Sequence, residues 1–399
     1  MAEKLAINGG VPVRDKDHKI FYGKQWIDEA DVKAVSDVLV SPYITCGPKV
    51  DETEKKLAEV TGTPYVTLVS NGTAALHIAC MAIGIKEGDE VIVSSITFAA
   101  SANCVLYCGG TPVFADVDEK TYNIDVEDVK RKITPKTKAV IAVDFTGQAA
   151  NLKAIRKICD EHGLYFIEDA AHSIGTVYDG KKVGSIADIT TFSFHPVKTV
   201  TAGEGGAVAT IHEDLHKKIH LLRSHGITRD MSEMRNPSDA RWYNEQVMLG
   251  YNYRMTDFQA ALLLSQLDKL SMFIKRRKEI RAMYDEAFSK CEGIILQECI
   301  PESDTAWHLY IIRLDKNIIK ASRREFFDAL YEEGTCPQVH YLPVYMHSYY
   351  ETLGYKKGLC PVAESTYESI MSIPFYPALT DEEVKDVIKA VCKVAENYR

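Results

Sequence analysis

Between residues 65 and 211 the chain repeats one pattern: a short, continuously apolar run, a small-residue turn, then an amphipathic stretch. The runs are Tyr65–Val69, Glu90–Ser94, Pro112–Ala115, Lys138–Asp144, Leu164–Glu168, Ile189–Phe194 and Ala207–Ile211. Helical spacing of apolar residues marks Gly72–Ile83, Ala99–Tyr107 and Leu152–His162 between them. Strands that are apolar throughout, rather than on alternate residues, are buried on both faces. Their alternation with helices predicts an α/β fold with a mostly parallel sheet covered on both sides. In such sheets ligands sit at the carboxyl ends of the strands. Chemistry-bearing residues at those ends are therefore the candidates for a site.

After about residue 255 the pattern changes. Thr256–Lys290 reads as one long helical tract, with apolar Phe258, Ala261, Leu262, Leu267, Leu270 and Ile274 giving a 3.6-residue period. Trp307–Leu314 reads as a strand. Ser322-Arg323-Arg324-Glu325 and Thr380-Asp381-Glu382-Glu383 are capping boxes, the first opening a helix to Glu333 and the second the last helix. The expected division is 1–255, an amino-terminal arm with a large domain, and 256–399, a long connecting helix with a smaller α+β domain. The stretch 226–250, with its Pro, Gly and Asn, reads as a long functional loop.

Composition narrows the classes. The chain has 399 residues, 46% of them hydrophobic, enough for a sizeable core. Its net charge is −9 with both signs interspersed, and no basic stripe marks a nucleic-acid partner. The apolar runs fall well short of the roughly eighteen residues a membrane span needs. Met1–Gly10 lacks the apolar segment of a secretory signal, so a cytoplasmic location is expected. The ten cysteines include no Cys-x-x-Cys pair, which favours reduced, mostly buried thiols and no metal site.

Three segments at predicted strand ends stand out. Lys198 lies in Ser193-Phe194-His195-Pro196-Val197-Lys198, ahead of the turn Gly203-Glu204-Gly205-Gly206. Asp169 ends Tyr165-Phe166-Ile167-Glu168-Asp169, with His172 three residues on. Gly72 and Thr73 open a helix after Ser70-Asn71. Each has an ordinary reading. A lysine is usually a solvated charge, Asp169 could cap a following helix, Ser193 could bond a neighbouring backbone group, and Asn-Gly is a common turn pair. Together they meet the needs of pyridoxal phosphate: an amine for a Schiff base, a carboxylate for the protonated ring nitrogen, and helix-start N–H groups for the phosphate. His172 could reach the ring hydroxyl, and Ser193 could donate to the phosphate. Phe98 could stack on the ring or simply be core. Asn252 and Arg254 lie in Tyr251-Asn252-Tyr253-Arg254-Met255, which is too polar for core and could face the site or a second subunit.

Asn71-Gly72-Thr73, Glu168-Asp169-Ala170-Ala171-His172, Ser193-Phe194-His195-x-x-Lys198, Gly203-Glu204-Gly205-Gly206 and Tyr251–Met255 resemble the DegT/DnrJ/EryC1/StrS sugar aminotransferases over nearly the whole chain. The resemblance implies a fold-type I pyridoxal-phosphate enzyme, homodimeric with shared sites, using L-glutamate as amino donor. It makes Lys198 and Asp169 catalytic. It gives Gly72, Thr73, Phe98, His172, Ser193 and Asn252 to the cofactor, Asn252 reaching in from the other subunit. Tyr22, Pro42, Tyr43, Ile44, Thr45, Val339, His340 and Tyr341 correspond to sugar-nucleotide contacts.

Within the family, Ser193–Lys198, Arg223–Asp230 and Gln338–Tyr345 are most similar to the branch serving pseudaminic acid biosynthesis. That branch aminates C4 of UDP-4-keto-6-deoxy-N-acetyl-β-L-altrosamine. Cys46 departs from the polar residue, such as Gln, expected there. Lys198 itself argues against the family's dehydratase branch, where a histidine replaces the lysine. The alternatives are another nucleotide 4-keto sugar, such as UDP-4-keto-6-deoxy-N-acetylglucosamine, or a cofactor-binding regulator without turnover.

Overall fold

A computed structural model describes residues 3–399, so Met1 and Ala2 of the amino-terminal stretch lie outside it. In chain order the helices that matter are α1 (Glu29–Leu39), α2 (Pro48–Thr61), α3 (Gly72–Ala82), α4 (Ala100–Tyr107), α5 (Val126–Lys132), α6 (Leu152–His162) and α7 (Glu213–Arg223). They continue with α8 (Asp257–Asp268), α9 (Leu270–Phe288), α10 (Arg323–Glu332) and α11 (Asp381–Tyr398). The large sheet has seven strands: β1 (Tyr65–Val69), β2 (Glu90–Ser94), β3 (Thr111–Ala115), β4 (Thr137–Val143), β5 (Tyr165–Asp169), β6 (Ile189–Ser193) and β7 (Gly206–Thr210).

Their spatial order is β1-β7-β6-β5-β4-β2-β3, and only β7 runs antiparallel to its neighbours. Strands β1 and β6 therefore point the same way across β7, and Gly206 pairs with both Val69 and Ser193. The mostly parallel α/β expectation holds, with the seven strands within a residue or so of the predicted runs.

Strand alternation sends residues to two cores. Val69, Val93, Ile141 and Ile167 pack against α3 and α4 on one face. Leu68, Val140, Ala142, Phe166 and Phe192 pack against Leu57 of α2, Ile155 of α6 and Leu263 of α8 on the other. A third core joins α9, α10 and α11 to a three-stranded antiparallel sheet of β8 (Ile294–Leu296), β9 (Tyr310–Leu314) and β10 (Ile370–Ile373). Both predicted capping boxes form, with Ser322 and Glu325 at α10 and Thr380 and Glu383 at α11.

Two expectations are corrected and one alternative reading is set aside. The tract 256–290 is two helices broken at Lys269, whose ammonium is drawn to Asp28 and Asp31 at the start of α1. The strand expected from Trp307 begins only at Tyr310, because Trp307 holds a left-handed φ of 51° that strand pairing does not accept. No helix follows Asp169: residues 171–175 form a turn.

Candidate active site

Asp169 closes β5 and points to the face covered by α3 and α4. It is buried, yet its carboxylate is provided for: Ser101 Oγ of α4 donates to Oδ2 at 2.7 Å, and the Ala171 N–H donates to Oδ1 at 3.2 Å. Thr97 Oγ1 lies 2.7 Å from Ser101 Oγ and extends the chain of hydroxyls. Burial raises the Asp169 pKa, while Ser101, the Ala171 N–H and the charge of Lys198 pull it back down. Asp169 thus takes a backbone N–H two residues on, as a cap does, but the segment turns at once, so the carboxylate stays at the strand tip.

His172 lies beside it, 4% exposed. Its Nε2 is 3.5 Å from the Tyr341 hydroxyl, and its Nδ1 has no hydrogen-bond partner among the described residues. The His308 ring packs at 4.4 Å from the His172 ring, and Phe145 at 6.2 Å. Burial drives both histidines well below the usual imidazole range, and His340 down to about 3, with Lys198 adding to each effect. Three neutral imidazoles therefore border one cation.

That cation is Lys198. Strand β6 ends at Ser193, so Lys198 sits not at the strand end but five residues on, in a turn held by its own N–H to the His195 carbonyl at 2.9 Å. His195 likewise leaves the strand and is exposed. Loss of water around the ammonium lowers the Lys198 pKa to about 8, against the opposing pull of Asp169. An amine so placed has a sizeable neutral fraction at neutral pH and can act as nucleophile or proton carrier.

The third element is the start of α3. Asn71 caps it, its Oδ1 accepting the Ala74 N–H at 2.8 Å. The N–H groups of Gly72 and Thr73 have no intrahelical partner and lie at the positive end of the helix. Ser193 faces them: a Cβ built on Gly72 would come within 2.9 Å of Ser193 Cβ and 3.1 Å of its Oγ. A Cβ on Gly206 would lie 2.4 Å from the Asn71 carbonyl oxygen. Gly72 and Gly206 are thus required by close approach, and they let a hydroxyl and free backbone N–H groups converge as an anion cradle.

Phe98, at the end of the β2 turn, is 62% exposed, with its ring 6.2 Å from that of Tyr341. It is not core; it stands over the cleft. The Tyr22 ring lies tilted at 5.1 Å from that of His340, which donates or accepts through Nδ1 with Ser372 Oγ at 2.8 Å. Gly23 abuts Val197, which carries Tyr22 beside the Lys198 turn. Val339 points elsewhere and packs against the third core. Pro42, Tyr43, Ile44 and Thr45 are exposed and do not join the cluster. They run beside the start of α8, where Thr45 bridges Thr256 and the Ile44 carbonyl accepts the Asp257 N–H at 3.0 Å. Asn252 is exposed as well, its backbone bridged to Ser224.

Reasoning from sequence missed Ser101, Thr97 and His308. Ser101 carried a signal, since it falls at the start of a helix that follows a strand end. His308 carried none, because only tertiary closure brings it to His172.

These residues fit pyridoxal phosphate on structural grounds. A buried carboxylate can meet a cationic ring N–H. An unpartnered imidazole nitrogen can meet a ring hydroxyl. An exposed phenyl can cover the ring, and a cradle that no Cβ could share can take the phosphate. An α/β sheet with such a site at its carboxyl edge defines a fold-type I pyridoxal-phosphate transferase. A family model described as the DegT/DnrJ/EryC1/StrS aminotransferase family matches residues 25–392, and the chain belongs to that family.

It is 40% identical over 383 residues to the spore coat polysaccharide biosynthesis protein SpsC of Bacillus subtilis, covering 95% of this chain and 98% of SpsC. It superposes with a TM-score of 0.89 and 31% identity on PseC of Helicobacter pylori, an aminotransferase involved in pseudaminic acid biosynthesis, covering 95% and 100% of the two chains. The putative sugar aminotransferase Spr1654 of Streptococcus pneumoniae in its PMP form also gives 0.89 and 31%, over 95% and 99%. The protein is a pyridoxal-phosphate-dependent sugar aminotransferase, with a nucleotide sugar and an amino donor as its substrates. Among the described residues no helix is long and apolar enough to cross a membrane.

Proposed function

We propose that the enzyme moves an amino group from L-glutamate to C4 of a UDP-4-keto-6-deoxy-N-acetyl hexose, forming UDP-4-amino-4,6-dideoxy-N-acetyl-β-L-altrosamine for pseudaminic acid biosynthesis in the cytoplasm. The observation that carries the reading is the Lys198–Asp169–His172 cluster, bordered by Tyr341, His340 and Tyr22, in a chain that matches PseC over its full length.

Pyridoxal phosphate, when bound, supplies an electron sink that stabilises charge at the carbon losing its proton. The chain's own groups do the rest. Lys198 would hold the cofactor through its amine, and as a free amine it would carry the proton, its pKa of about 8 suiting it to giving and taking at neutral pH. Asp169, fixed by Ser101, keeps the ring nitrogen protonated. His172 meets the ring hydroxyl, Phe98 covers the ring, and Gly72, Thr73 and Ser193 hold the phosphate. Tyr22, His340 and Tyr341 face the sugar.

Asn252 and the segment Pro42–Thr45 serve the site of a second subunit, which accounts for their exposure and their separation from Lys198 in a single chain. We read the chain as a large domain, 1–255, and a smaller one, 256–399. Val339 supports the site through the backbone it shares with His340 rather than by touching the sugar.

Cys46, exposed where a polar sugar contact is expected and held at a left-handed φ of 54°, supports a second reading with the same chemistry. In it the acceptor is another nucleotide 4-keto sugar, such as UDP-4-keto-6-deoxy-N-acetylglucosamine. Turnover of a panel of UDP-, GDP- and TDP-4-keto sugars with glutamate, followed by 2-oxoglutarate release, decides between them. Preference for a GDP or TDP sugar overturns both readings of the nucleotide.

A further inference from the structure

Asp169 has a neighbour whose side chain leaves the opposite face of the sheet. Glu168 precedes it on β5, and Asp144 follows the paired residue Val143 on β4, so both point into the core formed with α6 and α8. Each has no exposed surface. Asp144 accepts the Ser173 hydroxyl at 2.6 Å and the Ala150 N–H at 2.9 Å. Glu168 Oε2 accepts the Thr190 hydroxyl at 2.9 Å, while Oε1 is buried without a donor of good geometry. The two side chains leave the same face of adjacent strands with no water around either, so each carboxyl lies in the other's field, and Glu168 Oε1 is the one oxygen of the pair left open to a proton. The groups acting most strongly on the pair are Asp169, Ser173, Thr190 and the main-chain N–H of Ala150 and Gly184.

We propose that Asp144 and Glu168 share one proton, that the pair carries a single negative charge behind Asp169, and that this charge helps keep the cofactor's ring nitrogen protonated. The inference rests on the reading that Asp169 faces that nitrogen. Burial pushes Asp144 well above the usual carboxylate range and Glu168 up to about 7, as expected for two acids that cannot both ionise in one dry site. The pair also ties strand end to turn, since Ser173 directly follows His172. Both residues are positioning residues: neither touches the cofactor.

The test is the pH at which the absorbance of the bound cofactor changes, measured on the holoenzyme. In Asp144→Asn the amide takes the place of the protonated acid, and in Glu168→Gln the charge moves to Asp144. Each single variant keeps one negative charge and is expected to titrate as wild type. The double variant Asp144→Asn/Glu168→Gln is neutral and should titrate lower, by on the order of one pH unit for loss of a nearby unit charge at an effective dielectric constant near 20.

At neutral pH, infrared difference spectra of wild type against Asp144→Asn should show loss of one protonated-carboxyl carbonyl band. Absence of that band overturns the shared proton, and remains decisive if the double variant does not fold. A single variant shifting as far as the double overturns the charge count. An unshifted double, while Asp169→Asn does shift the titration, overturns this inference alone. No shift in Asp169→Asn overturns the reading of Asp169 on which it rests.

Discussion

Ser101 Oγ lies 2.7 Å from Asp169 Oδ2, so a hydroxyl from the first turn of α4 fixes the carboxylate that ends β5. The pair spans two layers of the fold. It lets a buried carboxylate remain charged and aimed, with lone pairs left for a cationic N–H, where an unassisted one would take up a proton. The candidate site is therefore built at a layer contact and not within a single loop.

Replacing Asp169 by Ala should cost ~100-fold or more in kcat, because a charge-assisted bond in a dry site contributes most when charge develops. Affinity for the cofactor should fall far less, since the phosphate is held by Gly72, Thr73 and Ser193. Steady-state turnover and a cofactor-binding titration measure the two effects separately. Near wild-type turnover would remove Asp169 from the mechanism.

Lys198 should be the residue that borohydride locks to the cofactor, as found by mapping the reduced adduct on peptides. An adduct on any other lysine contradicts the assignment. The rate at which apo-protein takes up cofactor should rise with pH through about 8, where Lys198 loses its proton. The nearby Asp169 charge raises that pKa, so Asp169→Asn should move the profile to lower pH. A profile unmoved by the substitution would disconnect the two residues.

Local chemistry makes much of this fold and site legible in the order of residues alone. Apolar runs bounded by turns locate all seven strands of the sheet, and the Ser322 and Thr380 boxes locate two helix starts by the bonds they form. Lys198, Asp169 and Gly72 can be read because each combines an unusual residue type with a position at or just beyond a strand end. The rest depends on closure of the chain. Helices α1 and α2 are charged and only weakly apolar, and where they lie is set by α8, whose Gln266 donates to Asp31 of α1. The reversed direction of β7 leaves no mark in its Gly-Ala-Val-Ala-Thr run. His308 reaches His172 through backbone bonds to Thr146 that no spacing rule anticipates.

A buried ion pair pins the amino-terminal arm. Lys393 of α11 lies 2.9 Å from Glu333, both almost without exposure, and Glu333 also accepts the Ala6 and Val13 N–H groups at 2.8 and 3.1 Å. Glu333→Gln leaves a buried ammonium unpaired and should cost about 3–5 kcal/mol. The denaturant midpoint should fall accordingly, and residues near Ala6 should become open to proteolysis. An unchanged midpoint would mean that the arm is held by packing alone.

Two chains should be needed to make one site. Asn252 and Tyr43 are exposed in the single chain, apart from the Lys198 cluster, although the resemblance gives both to bound ligands. A second subunit resolves this: residues useless to their own site can complete the neighbour's across a two-fold axis, where the same patch meets itself. Lys198→Ala and Asn252→Ala should each be inactive alone. Mixed under conditions of subunit exchange, they form heterodimers with both defects in one site and an intact second site. Up to about half the dimers in an equal mixture are mixed, each with one working site of two, so activity should return to roughly a quarter of wild type. Exchange demonstrated by mass spectrometry without recovery would place Asn252 in the site of its own chain.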